Sequence, residues 1–358
     1  MTRPTSSDAS PDASPLAPLL RGAPRRAVVT GGAGFIGSHL VEQLLDQGAE
    51  VHVVDDLSSG ALENLEQAQR RPGLTVTVES VAAPGVARRV LEGADVVFHL
   101  AGVVGVRRLV RAPLQVMQEN LHSNEAVLTA AAELGVPTLI TSSSEVYGDG
   151  PVPFCEGAAV SPGSTEGLRG GYACAKAMGE WLAGAHAEQQ GLPVVVARLF
   201  NTVGPRQTGD HGMVLPRFVR QALQGAPLTV YGEGAQTRCF AHVREVARAL
   251  LGLVRSSTLP GRVVNVGSDR EVSVAELASM VVARTGSRSQ ITRVPFDEVF
   301  PSGFVDPPRR VPSLQRLRAA NGWAPEASLA SIVDDVVAYE RAAAGAADAV
   351  IPAASPAS

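Results

Sequence analysis

Short runs of β-branched residues alternate with longer stretches of helical periodicity between residues 26 and 200. This alternation narrows the fold more than any other feature. RAVVT (26–30), EVHVVD (50–55), LTVTVE (74–79), DVVFHL (95–100), PTLITSS (137–143) and PVVVARLF (193–200) read as strands. Several are apolar on both parities, the pattern of strands covered on two faces. Between them, FIGSHLVEQLLDQG and PLQVMQENLHSNEAVLTAAAELG carry apolar residues at i, i+3, i+4 and i+7 and stop at Gly48 and Gly135, as crossover helices do. The expected class is α/β, with a Rossmann-type doubly wound parallel sheet over residues 25–200. Beyond Phe200 the pattern breaks into Pro- and Gly-bearing loops with helices near 214–224, 243–255, 273–285 and 328–341. That predicts a smaller α/β lobe over 201–343, which can return one strand and one helix to the first domain.

Composition bounds the partners. A 358-residue chain that is 45% hydrophobic can bury a sizeable core, and its net charge of −4 gives no electrostatic footprint for nucleic acid or an anionic membrane surface. No apolar run approaches the ~20 residues that cross a bilayer. Cys155, Cys174 and Cys239 lie far apart with no C-x-x-C pair, so neither a metal site nor a disulfide framework is expected. A reducing cytoplasm fits, and a small molecule is the expected partner. Residues 1–24 and 344–358, rich in Ser, Pro and Ala, read as disordered tails, and the first has no apolar core of signal-peptide length.

The first strand runs into Thr30-Gly31-Gly32-Ala33-Gly34-Phe35-Ile36-Gly37 and a helix follows at once. Glycines at 31, 34 and 37 permit the tight turn, close backbone approach to a pyrophosphate, and close helix-on-strand packing. The helix start adds N–H donors and a positive dipole end. The second strand ends at Asp55-Asp56, where a carboxylate can accept hydrogen bonds from ribose hydroxyls and repel a 2′-phosphate. NAD is the cofactor this arrangement predicts.

In Gly171-Tyr172-Ala173-Cys174-Ala175-Lys176 the Tyr and Lys are four apart at the head of a helical stretch over 172–190, and so share a face. A phenol with its usual pKa of about 10 is a poor base at neutral pH. A neighbouring ammonium lowers that value, so Tyr172 can take a hydroxyl proton while hydride leaves the same carbon. Ser142-Ser143-Ser144-Glu145-Val146-Tyr147-Gly148 ends the preceding strand and can supply a hydroxyl to the reacting oxygen.

With TGGAGFIG, HLAG, SSSEVYG and YACAK in this order, residues 26–341 resemble the extended short-chain dehydrogenase/reductase family of nucleotide-sugar epimerases, dehydratases and decarboxylases. The resemblance implies Ser143, Tyr172 and Lys176 as catalytic residues. It also implies Leu100, Ala101 and Asn120 beside NAD, with Gly31, Gly34, Phe35, Ile36, Gly37, Asp55, Tyr172 and Lys176. Two departures stand out: Ser123-Asn124 where the family usually has Gly-Thr, and Ser80 where an Asp commonly faces the adenine. On the substrate side, Asn201, Arg238 (GAQTRCF) and Arg310 (PPRRVP) match residues that meet the sugar phosphate and the diphosphate. Planar guanidinium groups offer paired donors to phosphate oxygens. Ser313 replaces an Asp common after this last element. The family also implies a homodimer through helices at 113–135 and 172–190.

C4 oxidation is shared across that family, so Glu145 carries the choice of reaction. A carboxylate two residues after the catalytic Ser is similar to UDP-glucuronate decarboxylases and to 4,6-dehydratases, whereas 4-epimerases typically have a small or uncharged residue there. Ser144 stands where the dTDP-glucose type of dehydratase has an acid, which weakens dehydration. Arg169, three before Tyr172, and FNTVGPR with QALQGAPLTVYG match UDP-xylose synthases. The resemblance therefore implies decarboxylation of UDP-glucuronate, with UDP-sugar 4-epimerisation as the alternative and 4,6-dehydration behind both. VVGVRR departs from the decarboxylases' loop, and its Arg107 and Arg108 are expected to face a sugar carboxylate.

Overall fold

The six expected strands form because β-branched residues fit a pleated surface buried on both sides. They are β1 (Arg26–Thr30), β2 (Glu50–Val54), β3 (Leu74–Thr77), β4 (Val96–His99), β5 (Thr138–Ser143) and β6 (Val194–Leu199). The computed structural model describes residues 18–350 except 166–167, 209–212 and 300–306, and describes no side chains at 106–107, 168–169 and 346–350. After β6 the chain makes β7 (Thr202–Val203), β8 (Leu228–Tyr231), β9 (Thr237–Cys239) and β10 (Ala241–His242). It then returns β11 (Val263–Val266) to the sheet edge beside β6. The seven strands are parallel throughout, in the order β3-β2-β1-β4-β5-β6-β11.

Successive strand residues feed two cores. Ala27, Val29, Val53 and Phe98 join one cluster, with Leu40 and Leu44 of α1 (Phe35–Asp46) and Val246 and Leu250 of α8 (Val243–Arg255). Val28, Val97 and Ile140 point the other way, into a cluster with α3 (Val86–Leu91) and with Val127 and Leu128 of α5 (Pro113–Leu134). Ala183 of α6 (Leu168–Gln190) completes that second face. The two short helices α2 (Glu66–Gln69) and α4 (Val106–Arg111) lie in the connections that follow β2 and β4.

The smaller lobe has its own core. Phe218 of α7 (Val214–Leu223), Leu277 of α9 (Val274–Thr285) and Val333 of α12 (Leu329–Val350) meet Leu228 and Val230 of β8. β8 pairs in parallel with β13 (Ile291–Val294), and β9 pairs antiparallel with β12 (Glu271–Ser273). A capping box starts α9: Ser273 Oγ accepts from Glu276 N, and Glu276 accepts from Ser273 N. Helices α10 (Phe296–Val299) and α11 (Gln315–Asn321) were not legible as periodic segments because each spans two turns or fewer.

Three boundaries differ from expectation. Leu19, inside the expected tail, is buried, and Leu20 N donates to Val254 O, so the chain docks before residue 25. Helix α12 continues to Val350, past the expected start of the second tail. Helix α6 begins at Leu168, which places Tyr172 one turn inside the helix rather than at its head. β1 and β4 are neighbours although two strands separate them in sequence, so a crevice opens at their carboxyl ends.

Candidate active site

A cleft of about 1340 Å³ starts at this crevice and extends to the smaller lobe. Gly31, at its head, has φ +69°, and a Cβ there would lie 2.6 Å from Ala101 N. A Cβ on Gly37 would lie 2.1 Å from Gly31 O, so helix α1 approaches the loop as closely as glycine allows. Gly34 N-caps α1 without a side-chain hydrogen bond among the described residues, and the first turn lines the cleft with its backbone donors. Phe35, Ile36, Leu100 and Ala101 line the same stretch.

Asp55 is buried at the end of β2. Its Oδ2 accepts from Ala33 N and its Oδ1 from Leu57 N, each at 2.9 Å. Burial raises its pKa, and these backbone donors oppose the shift. The carboxylate thus ties the glycine loop to the β2 exit and still lines the cleft where a ribose would rest. A backbone cradle, a helix start without a side-chain cap and an acidic strand end together fit a dinucleotide. Arg108 was expected to face a sugar; instead its Nη2 donates to Ser58 O at 2.9 Å, on the adenosine side, because α4 folds back over the β2 loop. The side chain of Arg107 lies outside the described residues.

The catalytic candidates converge from three elements. Ser143 ends β5, and its Oγ accepts from Glu145 N at 3.2 Å, capping the 3-10 turn Ser144–Tyr147. Tyr172 reaches it from α6, half-buried against Val103, Leu109 and Val116. Burial raises the Tyr172 pKa well above its ordinary value; a hydrogen bond with Ser143 lowers it, Glu145 raises it and Arg310 lowers it. The ligand-free phenol is therefore firmly protonated, and added positive charge must make it a base. Lys176, buried one turn further, donates to Thr141 O at 3.2 Å. Burial lowers its pKa from 10.5 to about 8, against the pull of Glu180, so it is still charged at neutral pH.

Asn120 sits beneath this group, fully buried. Its Nδ2 donates to Val103 O and Val116 O, which fixes the loop after β4. Its Oδ1 has no hydrogen-bond partner among the described residues, and a Cβ on Gly102 would come within 2.8 Å of that oxygen and 3.0 Å of Lys176 Nζ.

On the far wall, Arg238 of β9 is buried, with Nη1 on Thr237 O and Pro307 O. Asn201 lines the cleft with Oδ1 unpartnered among the described residues. Arg310, expected at the diphosphate, forms an ion pair with Glu145 through Nη1 at 2.5 Å. The reason is local: Phe154 N donates to Val311 O and Ser313 N to Phe154 O, a bridge that presses residues 310–313 against the segment following the catalytic turn. The backbone of Arg169 begins α6, and its side chain lies outside the described residues.

Two features escaped the sequence reading. Arg206, at φ +72°, reaches across to Glu42 of α1, joining the substrate loop to the cofactor helix. Arg198 and Glu180 form a buried pair behind the catalytic group. A charge in the middle of an otherwise apolar strand was the available signal, since such a charge needs a partner.

The sequence pattern of the NAD dependent epimerase/dehydratase family matches residues 27–267. A UDP-N-acetyl-alpha-D-glucosaminuronate decarboxylase of Bacillus cytotoxicus is 36% identical over 305 residues, covering 85% of this chain and 94% of its own. UDP-glucuronic acid decarboxylase 1 of Danio rerio is 33% identical over 318 residues, covering 88% and 72%. Among solved structures, the UDP-glucose 4-epimerase of Thermus thermophilus in complex with NAD superposes with a TM-score of 0.77 at 29% identity, over 89% of this chain and 99% of that one. A dinucleotide loop and a Tyr-Lys helix meeting in one cleft, within a chain that follows the family pattern for more than half its length, make this protein a member of the NAD dependent epimerase/dehydratase family.

Proposed function

We propose that the chain is an NAD-dependent UDP-glucuronate decarboxylase, yielding UDP-xylose or its 4-keto form. The observation that carries this reading is Glu145, which lines the cleft beside Ser143 and Tyr172 and is fixed by Arg310. The relatives named as uronate decarboxylases support it.

Ser143 holds the C4 oxygen, and Tyr172 takes its proton, with the charge of Lys176 stabilising the phenolate. When bound, NAD supplies the hydride acceptor at C4 and later the hydride donor. The C4 ketone is β to the C6 carboxylate, so the C5–C6 bond breaks, CO2 leaves and its electron pair enters an enolate. Glu145 governs proton return to C5, and Tyr172 returns its proton to the C4 oxygen as hydride comes back. Arg238 and Asn201 hold the diphosphate end, Arg310 braces Glu145 as well as facing the same cleft, and Arg169 contributes from the start of α6.

Epimerisation at C4 is the second reading, favoured by the VVGVRR loop. Incubating the protein with UDP-glucuronate and with UDP-glucose and identifying the products by NMR separates the two. Conversion of UDP-glucuronate to a pentose nucleotide supports decarboxylation; inversion at C4 with all six carbons retained overturns it.

The α5 and α6 helices also support a homodimer: Leu114, Met178 and Trp181 are 63%, 43% and 61% exposed, and Cys174 lies on the same α6 face. Sedimentation of wild type against Trp181→Glu tests it, a monomeric wild type being the contrary result. Three free cysteines fit a reducing cytoplasm.

A further inference from the structure

Behind the catalytic group lies a charge pair that the proposed reaction does not use. Arg198 of β6 donates from Nε and Nη2 to Glu180 Oε1 and Oε2, and the two side chains are only 4% and 7% exposed. The same Glu180 Oε1 accepts from Ser142 Oγ at 2.5 Å. Ser142 and Arg198 are register partners across β5 and β6, so the carboxylate closes a three-residue ring against the strand end that carries Ser143. The Arg198 guanidinium also lies 4.6 Å above the Tyr147 ring, and Tyr147 OH donates to Asn265 Oδ1. Both ends of the turn holding Ser143 and Glu145 are thereby pinned. One helical turn before Glu180, on the same face of α6, is Lys176.

We propose that Glu180, held by Arg198, is a positioning residue for the catalytic group: it fixes the Ser142-Ser143 strand end and sets its carboxylate one helical turn from Lys176, on the face that carries Tyr172. A buried ion pair contributes little stability compared with apolar residues of the same volume, so stability alone gives weak reason for one here. Among the described residues, the titratable and charged groups on the elements around Lys176 are Tyr172 and Glu180 on α6, His99 on β4, Glu145 after β5 and Arg198 behind Glu180. Helix α5 presents the amides of Asn120 and Asn124, and α4 turns Arg108 away to Ser58. His99 is neutral, its pKa lowered to about 3 by burial and then by Lys176. Glu180 is thus the buried carboxylate placed to oppose the desolvation of Lys176. Without it, the ammonium loses its proton at lower pH and Tyr172 loses the charge that makes it a base.

This inference rests on C4 oxidation by Tyr172 and is independent of CO2 loss. Two readouts suit it: the pH midpoint of Lys176 acylation in NAD-free protein, mapped by mass spectrometry, and the pH profile of bound NADH appearing on addition of UDP-glucuronate or UDP-glucose. In Glu180→Gln and in the charge-neutral double variant Glu180→Gln/Arg198→Met, the midpoint should fall by about one pH unit. The alkaline limb of NADH formation should move with it, costing about tenfold in rate on that limb. Glu180→Asp should recover part of the shift. A folded double variant with the wild-type midpoint and profile overturns the proposal. Failure of both variants to fold assigns the pair to the fold alone and overturns it equally. Loss of decarboxylation with NADH formation intact would fault the reaction proposed above and leave this inference standing.

Discussion

On the cofactor wall of the cleft, Gly31, Ala101 and Asn120 sit at strand ends or inside a long helix, where Gly31 abuts the Ala101 backbone and Gly102 abuts Asn120. On the substrate wall, Arg238, Arg310 and Glu145 sit on a three-residue strand, a connecting segment and a 3-10 turn. The first wall recognises its ligand with backbone and short side chains, which only one backbone geometry allows. The second uses long charged side chains whose aim depends on cross-lobe contacts such as the bridge at Phe154 and Pro312. On the proposed function, the first step draws on the wall fixed by backbone, and the choice of second step on the wall set by charged side chains.

That contrast can be broken at several points. Tyr172→Phe removes the proton acceptor of the shared step and should cost about a thousandfold or more in turnover of any UDP-sugar. Steady-state rates check it, and residual activity within tenfold of wild type would remove Tyr172 from its role. Glu145→Gln should cut steady-state formation of the pentose nucleotide about a hundredfold while bound NADH still forms within a few-fold of the wild-type rate. Equal loss of both would move Glu145 to the shared step. Arg238→Met should raise KM about ten- to a hundredfold with kcat little changed, since it removes a diphosphate contact made before and during the reaction. An unchanged KM would take the diphosphate away from β9.

The smallest effect concerns stability. Burial lowers Lys176 from 10.5 to about 8, so between those values the unfolded chain binds more protons and stability rises with pH. At pH 7 the charged lysine is a cost that Lys176→Met should relieve, by about 1 to 3 kcal/mol in urea unfolding of NAD-free protein, while abolishing turnover. A destabilised variant would mean that the bond to Thr141 O outweighs desolvation.

The cofactor wall was legible in the sequence because its constraints are local. A glycine that must take φ +69° or touch a neighbouring backbone leaves a spaced pattern, and the inner strands β1, β4, β5 and β6 show their two-sided burial in nearly every residue. The substrate wall was legible only by resemblance, and its pairing was not. Nothing near Arg310 in sequence announces Glu145, 165 residues away, because the contact is set by the bridge to Phe154. Arg108 misled for the same reason: its position after β4 suggested the sugar, but the fold of α4 turns it to Ser58. The start of α6 was misplaced by four residues because Leu168-Arg169-Gly170-Gly171 carries two glycines, poor helix formers that tertiary packing overrides.

Conversion of UDP-glucuronate in D2O tests the central claim most directly. If C4 oxidation is followed by CO2 loss and proton return at C5, the product is a pentose nucleotide with one solvent deuterium at C5, accompanied by CO2. A six-carbon C4 epimer carrying no deuterium, formed without CO2, would contradict it.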